Sequence, residues 1–309
     1  MRSRIRSGDV NAVTVRVPAK VNLQLSVGPC RDDGYHDLIN VFHAVSLFDE
    51  VTAVEADGFR VTVAGESIAD VPLDGDNLAI RAAQALAAYA GCDRRAELRI
   101  RKDIPVAGGM AGGSADAAAA LVACDALWGL GLDRAELSEI AAGIGSDVPF
   151  ALLGGTAVGV GRGETLTPAL SQGRFHWVFA FADGGLSTAR VYAECDRLRM
   201  VMGVEAGWPH VDETLMAALR AGDAKALGAA LHNDLQPAAL SLRGSLALTL
   251  AAGREHHALG AIVSGSGPTC AFLAASEEEA LDLAVALRGA GVCRSVVRAY
   301  GPVPGATIV

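Results

Sequence analysis

An α+β fold with two domains of ordinary size is predicted for this 309-residue chain, on three observations. Alternating apolar positions mark strands from Val13 to Ala64. A strand, a loop of glycines and an alanine-rich helix then follow one another around residue 100. Beyond that, helices and strands mix in both halves without a repeated βα unit, and the first half reads as antiparallel.

The elements follow in order. Val13 to Val17 alternates, and Val21, Leu23, Leu25 and Val27 share one face of a second strand. Leu38 to Phe48, Val51 to Glu55 and Phe59 to Ala64 continue the pattern. Asn77 is placed as the N-cap of a helix that stops near Gly91. Ala96 to Arg101 is a strand, and Ser114 to Trp128 a helix. Asp133 and Glu136 have capping-box spacing. The apolar, glycine-broken stretch from Phe150 to Gly161 predicts strands with turns. Polar Arg162 to Arg174, with Pro168, is the linker candidate. It divides the chain into residues 13–165 and 166–309, behind a tail of residues 1–12. His176 to Ala182, Ala261 to Val263, Thr269 to Ala275 and Ser295 to Tyr300 read as strands. Ser276 and Glu279 cap a helix that runs to Arg288.

Composition narrows the function. A net charge of −9 argues against nucleic-acid binding, which wants a basic surface. It leaves room for an anionic small molecule in a locally positive pocket. Six scattered cysteines without metal-like spacing read as free thiols in a reducing compartment, hence a cytoplasmic protein. The start, with three arginines and no apolar stretch, reads as a frayed tail rather than a secretory signal. Ala258 to Ser276 is uncharged and long, but Ser264-Gly265-Ser266-Gly267-Pro268-Thr269 would break a spanning helix.

The strongest local signal runs from Lys102 through Pro105, Val106, Ala107, Gly108, Gly109, Met110, Ala111, Gly112 and Gly113 to Ser114. Consecutive glycines let backbone N–H groups approach an anion, and a helix start adds unpaired donors. Ser114 can cap that helix or meet a metal-bound phosphate. No Gly-Lys pair occurs, so this is not a Walker A loop. The first-strand position of a dinucleotide fingerprint is missing too, which disfavours a nicotinamide-dependent oxidoreductase. The other reading is a flexible turn.

Of 26 basic residues only Lys20, Lys102 and Lys225 are lysines, and two of these lie in suspect motifs. Gly145-Ser146-Asp147-Val148-Pro149-Phe150 sets Asp147 between a glycine turn and an apolar segment expected to be a strand. Such an aspartate can take or orient a substrate hydroxyl proton, or it can bond its own backbone as a turn residue. Tyr35 and His36 follow Asp33-Gly34, which equally suits a hairpin turn.

Together these segments resemble the GHMP kinase superfamily. Pro105 to Ala118 matches its glycine-rich loop, and Gly265-Ser266-Gly267-Pro268-Thr269 its C-terminal glycine motif. Pro18-Ala19-Lys20-Val21-Asn22-Leu23, Asp33-Gly34-Tyr35-His36, the Asp147 segment and His232-Asn233-Asp234-Leu235 are similar to the branch that phosphorylates 4-diphosphocytidyl-2-C-methyl-D-erythritol in non-mevalonate isoprenoid synthesis. The landmarks come in order along nearly the whole chain.

The resemblance implies a two-domain fold with the site in the cleft between domains. It implies ATP and Mg²⁺ as cofactors, with the metal's protein ligands unassigned. Asp147 would be the base and Lys20 its partner. Asn22, Tyr35, His36, Thr188 and Tyr192 would hold the substrate, Tyr35 and His36 on the cytosine. Residue 192 is more often phenylalanine in the family, and Ala115 stands where a second serine is frequent. A small-molecule substrate is expected, without nucleic acid or membrane, in a monomer or homodimer. The alternatives are another GHMP kinase, of mevalonate or homoserine type, and a nucleotide-binding protein that has lost catalysis.

Overall fold

The computed structural model describes residues 11–65, 68 and 71–309. The expected tail lies almost wholly outside them. Two long strands, β1 (Ala12–Cys30) and β2 (His36–Glu55), pair antiparallel and organise the first half. The two strands predicted before residue 28 are therefore one. Their apparent break is a register shift between Pro18 and Ala19, at a residue with no backbone N–H for the ladder.

From Val17 to Leu25 every residue of β1 is buried. Ala19, Val21 and Leu23 alternate with Lys20, Asn22 and Gln24, so one face feeds the core and the other buries polar groups. A polar strand face closed off from water needs partners or a ligand.

β3 (Arg60–Gly65) leads to α1 (Leu78–Tyr89), where the Asn77 side chain accepts from the Ala79 N–H as the predicted cap. β4 (Ala96–Lys102) and α2 (Gly112–Trp128) flank the glycine loop. α2 is buried on nearly all sides, which its alanines allow by keeping the backbone close to its neighbours. α3 (Arg134–Ile144) begins in the predicted Asp133–Glu136 capping box.

The next segment departs from expectation. Val148–Leu153 is a short helix, α4, with Pro149 in its first turn, and only Thr156–Gly161 is a strand, β5. A short apolar run has no period that tells a buried helix from a strand, and proline suits a helix start. The expected linker also holds structure: β6 (Thr165–Pro168) closes a hairpin with β5.

The second half carries β7 (Phe175–Phe181), α5 (Thr188–Met202), α6 (Glu213–Ala221), α7 (Ala224–Ala230), β8 (His232–Asn233), α8 (Gln236–Leu242) and α9 (Ser245–Glu255). It closes with β9 (Gly260–Val263), β10 (Cys270–Ala274), α10 (Glu277–Gly289), β11 (Ser295–Gly301) and β12 (Thr307–Ile308). Ser276 accepts from the Glu279 N–H at the start of α10, as its spacing predicts.

Among the described residues the first sheet has the order β12-β1-β2-β4-β3, with β5 and β6 continuing from β2 and β8 pairing with β1. The second sheet is β11-β7-β10-β9. Parallel β3–β4 and β1–β8 pairs make the first sheet mixed. β8 and β12 return from the second half to β1, so the strand that carries Lys20 and Asn22 is held from both halves. Residues 258–276 form β9, a turn and β10, and no described helix is long and apolar enough to cross a membrane.

Candidate active site

Two glycine loops meet over the polar face of β1. Gly109 has φ +76, and a Cβ there would lie 2.0 Å from the Ser264 carbonyl oxygen. The Ser264 hydroxyl donates to the Gly109 carbonyl at 3.0 Å, and the Thr269 N–H donates to the Gly108 carbonyl. The approach demands glycine twice over, by space and by the left-handed backbone. Gly109→Ala is expected to lower the melting temperature, because left-handed alanine alone costs roughly 1–2 kcal/mol before the collision with backbone. A wild-type melting temperature in this variant would show that the loop contact is dispensable.

α2 starts from Ala111, itself left-handed at φ 60, with no side-chain cap. Ser114, a possible cap in the sequence, lies inside the first turn instead, because the helix begins two residues earlier. The first-turn N–H groups have no intrahelical partners and stand beside a cavity of about 490 Å³.

That cavity brings most of the predicted residues together. Ala107, Gly108, Gly109, Ala111, Gly112, Gly113 and Ser114 line one side, with Lys20, Asn22 and Asp147 across from them. Thr188 and Tyr192 of α5 and Gly265 and Ser266 of the second loop complete it.

Lys20 ties the parts to each other. Its ammonium donates to Asn22 Oδ1 at 2.6 Å and to the Gly109 carbonyl at 3.0 Å, and stands 3.9 Å from Asp147 Oδ2. Burial pulls its pKa below the ordinary lysine value, and the Asp147 charge opposes that pull. Asn22 passes a further hydrogen bond to Asn40 Oδ1 at 2.6 Å.

Asp147 sits at the N-cap position of α4, yet its carboxylate bonds none of that helix's N–H groups. The turn-aspartate reading, in which it bonds its own backbone, is thereby excluded at this helix. The side chain is 30% exposed, on the cavity side.

A second cavity of about 650 Å³ adjoins the first and shares Leu38, Ser146, Arg162, Thr188 and Tyr192 with it. Tyr35 and His36 line it. The Asp33-Gly34 turn does form, with the Tyr35 N–H on Asp33 Oδ1. It leaves Tyr35 55% exposed, and the Arg162 guanidinium lies 5.5 Å from its ring centre. His36 is buried, its ring 5.3 Å from that of Tyr192 and its Nε2 3.0 Å from Asp196 Oδ1. Burial first, then the Asp147 charge, raise the Tyr192 phenol far above its ordinary pKa, so it stays a neutral hydrogen-bonding group.

Four predicted loop residues do not face the phosphate-sized cavity. Met110 is fully buried in the core, and Pro105 packs against Gly108. Lys102 and Val106 line a smaller cavity of about 230 Å³ near Asn77, which adjoins the first through Leu78, Ala107 and Gly113. Lys102 is also engaged there: its ammonium lies 2.5 Å from Asp49 Oδ2 and 2.7 Å from Asp116 Oδ2.

Sequence reasoning missed Asn40, Arg162, Asp196 and the Asp49–Asp116 pair. Arg162 carried no signal, having been placed in a linker. Asn233 had one, in the His232-Asn233-Asp234-Leu235 motif. Its side-chain amide donates to the Val263 and Gly265 carbonyls, both at 2.8 Å, and so fixes the second glycine loop.

Residues 77–155 match the GHMP kinases N terminal domain and residues 215–293 the GHMP kinases C terminal domain. The chain is 61% identical over 306 residues to a 4-diphosphocytidyl-2-C-methyl-D-erythritol kinase of Thermobifida fusca, covering 96% of this chain and 98% of that protein. A Streptomyces coelicolor protein of the same name is 60% identical over 299 residues, with coverage of 96% and 99%. A crystal structure of 4-(cytidine 5'-diphospho)-2C-methyl-D-erythritol kinase superposes with a TM-score of 0.74 at 31% identity, covering 93% of this chain and 98% of that one. The L. major mevalonate kinase in complex with R-mevalonate shares the fold at a TM-score of 0.73 and 19% identity, covering 99% of this chain and 100% of that one. The paired glycine loops, the carboxylate beside them and these matches lead to one statement: the chain belongs to the GHMP kinases, in the 4-diphosphocytidyl-2-C-methyl-D-erythritol kinase family.

Proposed function

We propose that this ATP-dependent kinase transfers the γ-phosphoryl group of ATP to the 2-hydroxyl of 4-diphosphocytidyl-2-C-methyl-D-erythritol, with Asp147 acting on that hydroxyl. One observation carries the reading: Lys20 touches both the glycine loop and Asp147 across a single cavity.

The cradle suits a triphosphate. Backbone N–H groups from Gly108 to Ser114 border it, and glycines leave room for phosphate oxygens. Asp147 takes or orients the hydroxyl proton as the oxygen attacks the γ-phosphorus. The bond from that phosphorus to the β-phosphate oxygen breaks, and ADP leaves. Lys20 balances the carboxylate and the charge on the transferring group. Asp147 and the Ser114 hydroxyl are oxygen groups that would hold Mg²⁺ together with the ATP phosphates, where the ion would offset phosphate charge.

Asn22, Thr188 and Tyr192 position the erythritol and diphosphate portions, and the cytosine enters the adjoining cavity between Tyr35 and His36. Pro105 and Met110 serve ATP by packing under the loop, and Lys102 and Val106 serve it from the small cavity that adjoins the cradle. The cavity takes residues from both halves, which fits a cleft between domains of residues 13–165 and 166–309.

A coupled assay of ADP release across a panel of alcohols tests the reading. Turnover is expected with the cytidyl-erythritol compound and not with mevalonate or homoserine. Preference for either of those two would reverse the assignment. His36→Ala should raise the KM for the cytidyl compound by roughly five- to a hundredfold, the loss of a buried polar contact worth about 1–3 kcal/mol. An unchanged KM would take His36 out of the substrate site.

A further inference from the structure

A cluster at the cavity lined by Tyr35 and His36 has the chemistry of a metal site that the kinase reaction does not call for. Cys30 and His36 stand directly opposite each other across the β1–β2 ladder. Asp196, from α5, reaches the same point with Oδ1 3.0 Å from His36 Nε2. The cysteine sulfur, the ring nitrogen and the carboxylate oxygen all lie within 4.8 Å of one another.

We propose that Cys30, His36 and Asp196 bind a borderline-soft divalent cation of the Zn²⁺ class, and that the bound ion blocks the substrate cavity.

The donor set selects the ion. A thiolate, an imidazole and one carboxylate suit Zn²⁺ and not Mg²⁺ or Ca²⁺, which take oxygen. Thiolate and carboxylate together balance its two charges. Tetrahedral zinc with bonds of about 2.0–2.3 Å sets its ligand atoms roughly 3.3–3.8 Å apart. His36 and Asp196 already stand closer than that. Cys30 is exposed at the strand end, so its sulfur can rotate in. Its thiol proton leaves to solvent on binding, and His36 binds with its remaining proton on Nδ1.

The surroundings favour this too. The Tyr192 ring packs against His36 and fixes its plane. Of the neighbouring cations, Arg31 is paired with Asp33 and Asp37, and Arg162 with Glu164. Cys124, Cys195 and Cys270 are buried, and among the described residues half-buried Cys92 and Cys293 belong to no cluster of three ligands. Because His36 and Asp196 both line the cavity, an ion on them takes the His36 edge that the cytosine needs. That last step rests on the function proposed above.

Co²⁺ titration of the full chain tests the site without any assay of activity. One equivalent should give a thiolate-to-cobalt absorption in the near ultraviolet, with strong tetrahedral bands in the visible. Cys30→Ser should remove the thiolate band, and Asp196→Asn should weaken binding by at least about tenfold, the scale of outer-shell losses at metal sites. No thiolate band in the wild type, or the same band in Cys30→Ser, overturns the site. A band that vanishes in Cys30→Ser supports it whatever the phosphoryl acceptor proves to be. In the kinase assay Zn²⁺ should raise the KM for the cytidyl compound in the wild type. Cys30→Ser, with wild-type turnover in the absence of Zn²⁺, should resist at least about tenfold more. Equal inhibition of both proteins overturns the blocking claim.

Discussion

Asp147→Asn is expected to lower turnover by about a hundredfold or more, while both substrates still bind. General acid–base groups contribute about 10²–10⁴ in rate, and asparagine keeps the shape while losing the charge and the proton-accepting oxygen. The structure gives the residue no competing task. Its carboxylate caps no N–H of α4, and among the described residues its close cation is Lys20 at 3.9 Å. The variant should therefore fold normally, and the defect should fall on kcat with KM values little changed. Losing the charge also frees Lys20 from its opposing partner, and burial alone then pulls its pKa further down. Steady-state kinetics with separate binding titrations decide the matter. Turnover near the wild-type rate in a well-folded Asp147→Asn protein would remove the carboxylate from the chemistry.

The second large effect falls on stability. Lys102→Met is expected to destabilise the protein by about 3–5 kcal/mol, the usual result of removing one member of a buried ionic group. Asp49 is wholly buried, and its Oδ1 accepts the Asp103 and Ile104 N–H groups at 2.7 and 2.8 Å. Among the described residues Asp116 Oδ1 has no hydrogen-bond partner, so this carboxylate depends on the lysine at its other oxygen. Burial, more than any other cause, and then the Asp49 charge raise the Asp116 pKa, while Lys102 holds it down. On Lys102 burial works the other way, but Asp116 and Asp49 together outweigh it and keep the ammonium protonated. Without Lys102 two desolvated carboxylates face each other under the glycine loop. Urea unfolding of wild type and variant measures the loss. Because the ammonium also approaches the Gly112 carbonyl at 3.4 Å, ATP affinity should fall with it. A midpoint equal to the wild type's would mean the triad contributes nothing net.

The parts of this protein that could be read from sequence share one property. Each is decided by a few neighbouring residues. The Asn77 and Ser276 caps, the Asp133 capping box and the strand-loop-helix around Gly108 all formed where their local chemistry placed them. The errors came where local chemistry is ambiguous. The run from Val148 to Leu153 has no period, and the register shift after Pro18 looks like a strand end.

The sequence by itself determined that a glycine-rich loop leads into an alanine-rich helix, that a rare lysine falls in the second strand region, and that an aspartate stands two residues before a proline. Only the tertiary structure decided which lysine meets that aspartate. Lys20 and Lys102 look equivalent in the chain, but β1 carries one into the cavity while β4 sends the other beneath the loop to Asp49 and Asp116. The physical reason is distance along the chain. A buried ammonium must be matched by charges at hydrogen-bond range, and those come from residues brought together by strand pairing and helix packing, which no neighbouring sequence encodes.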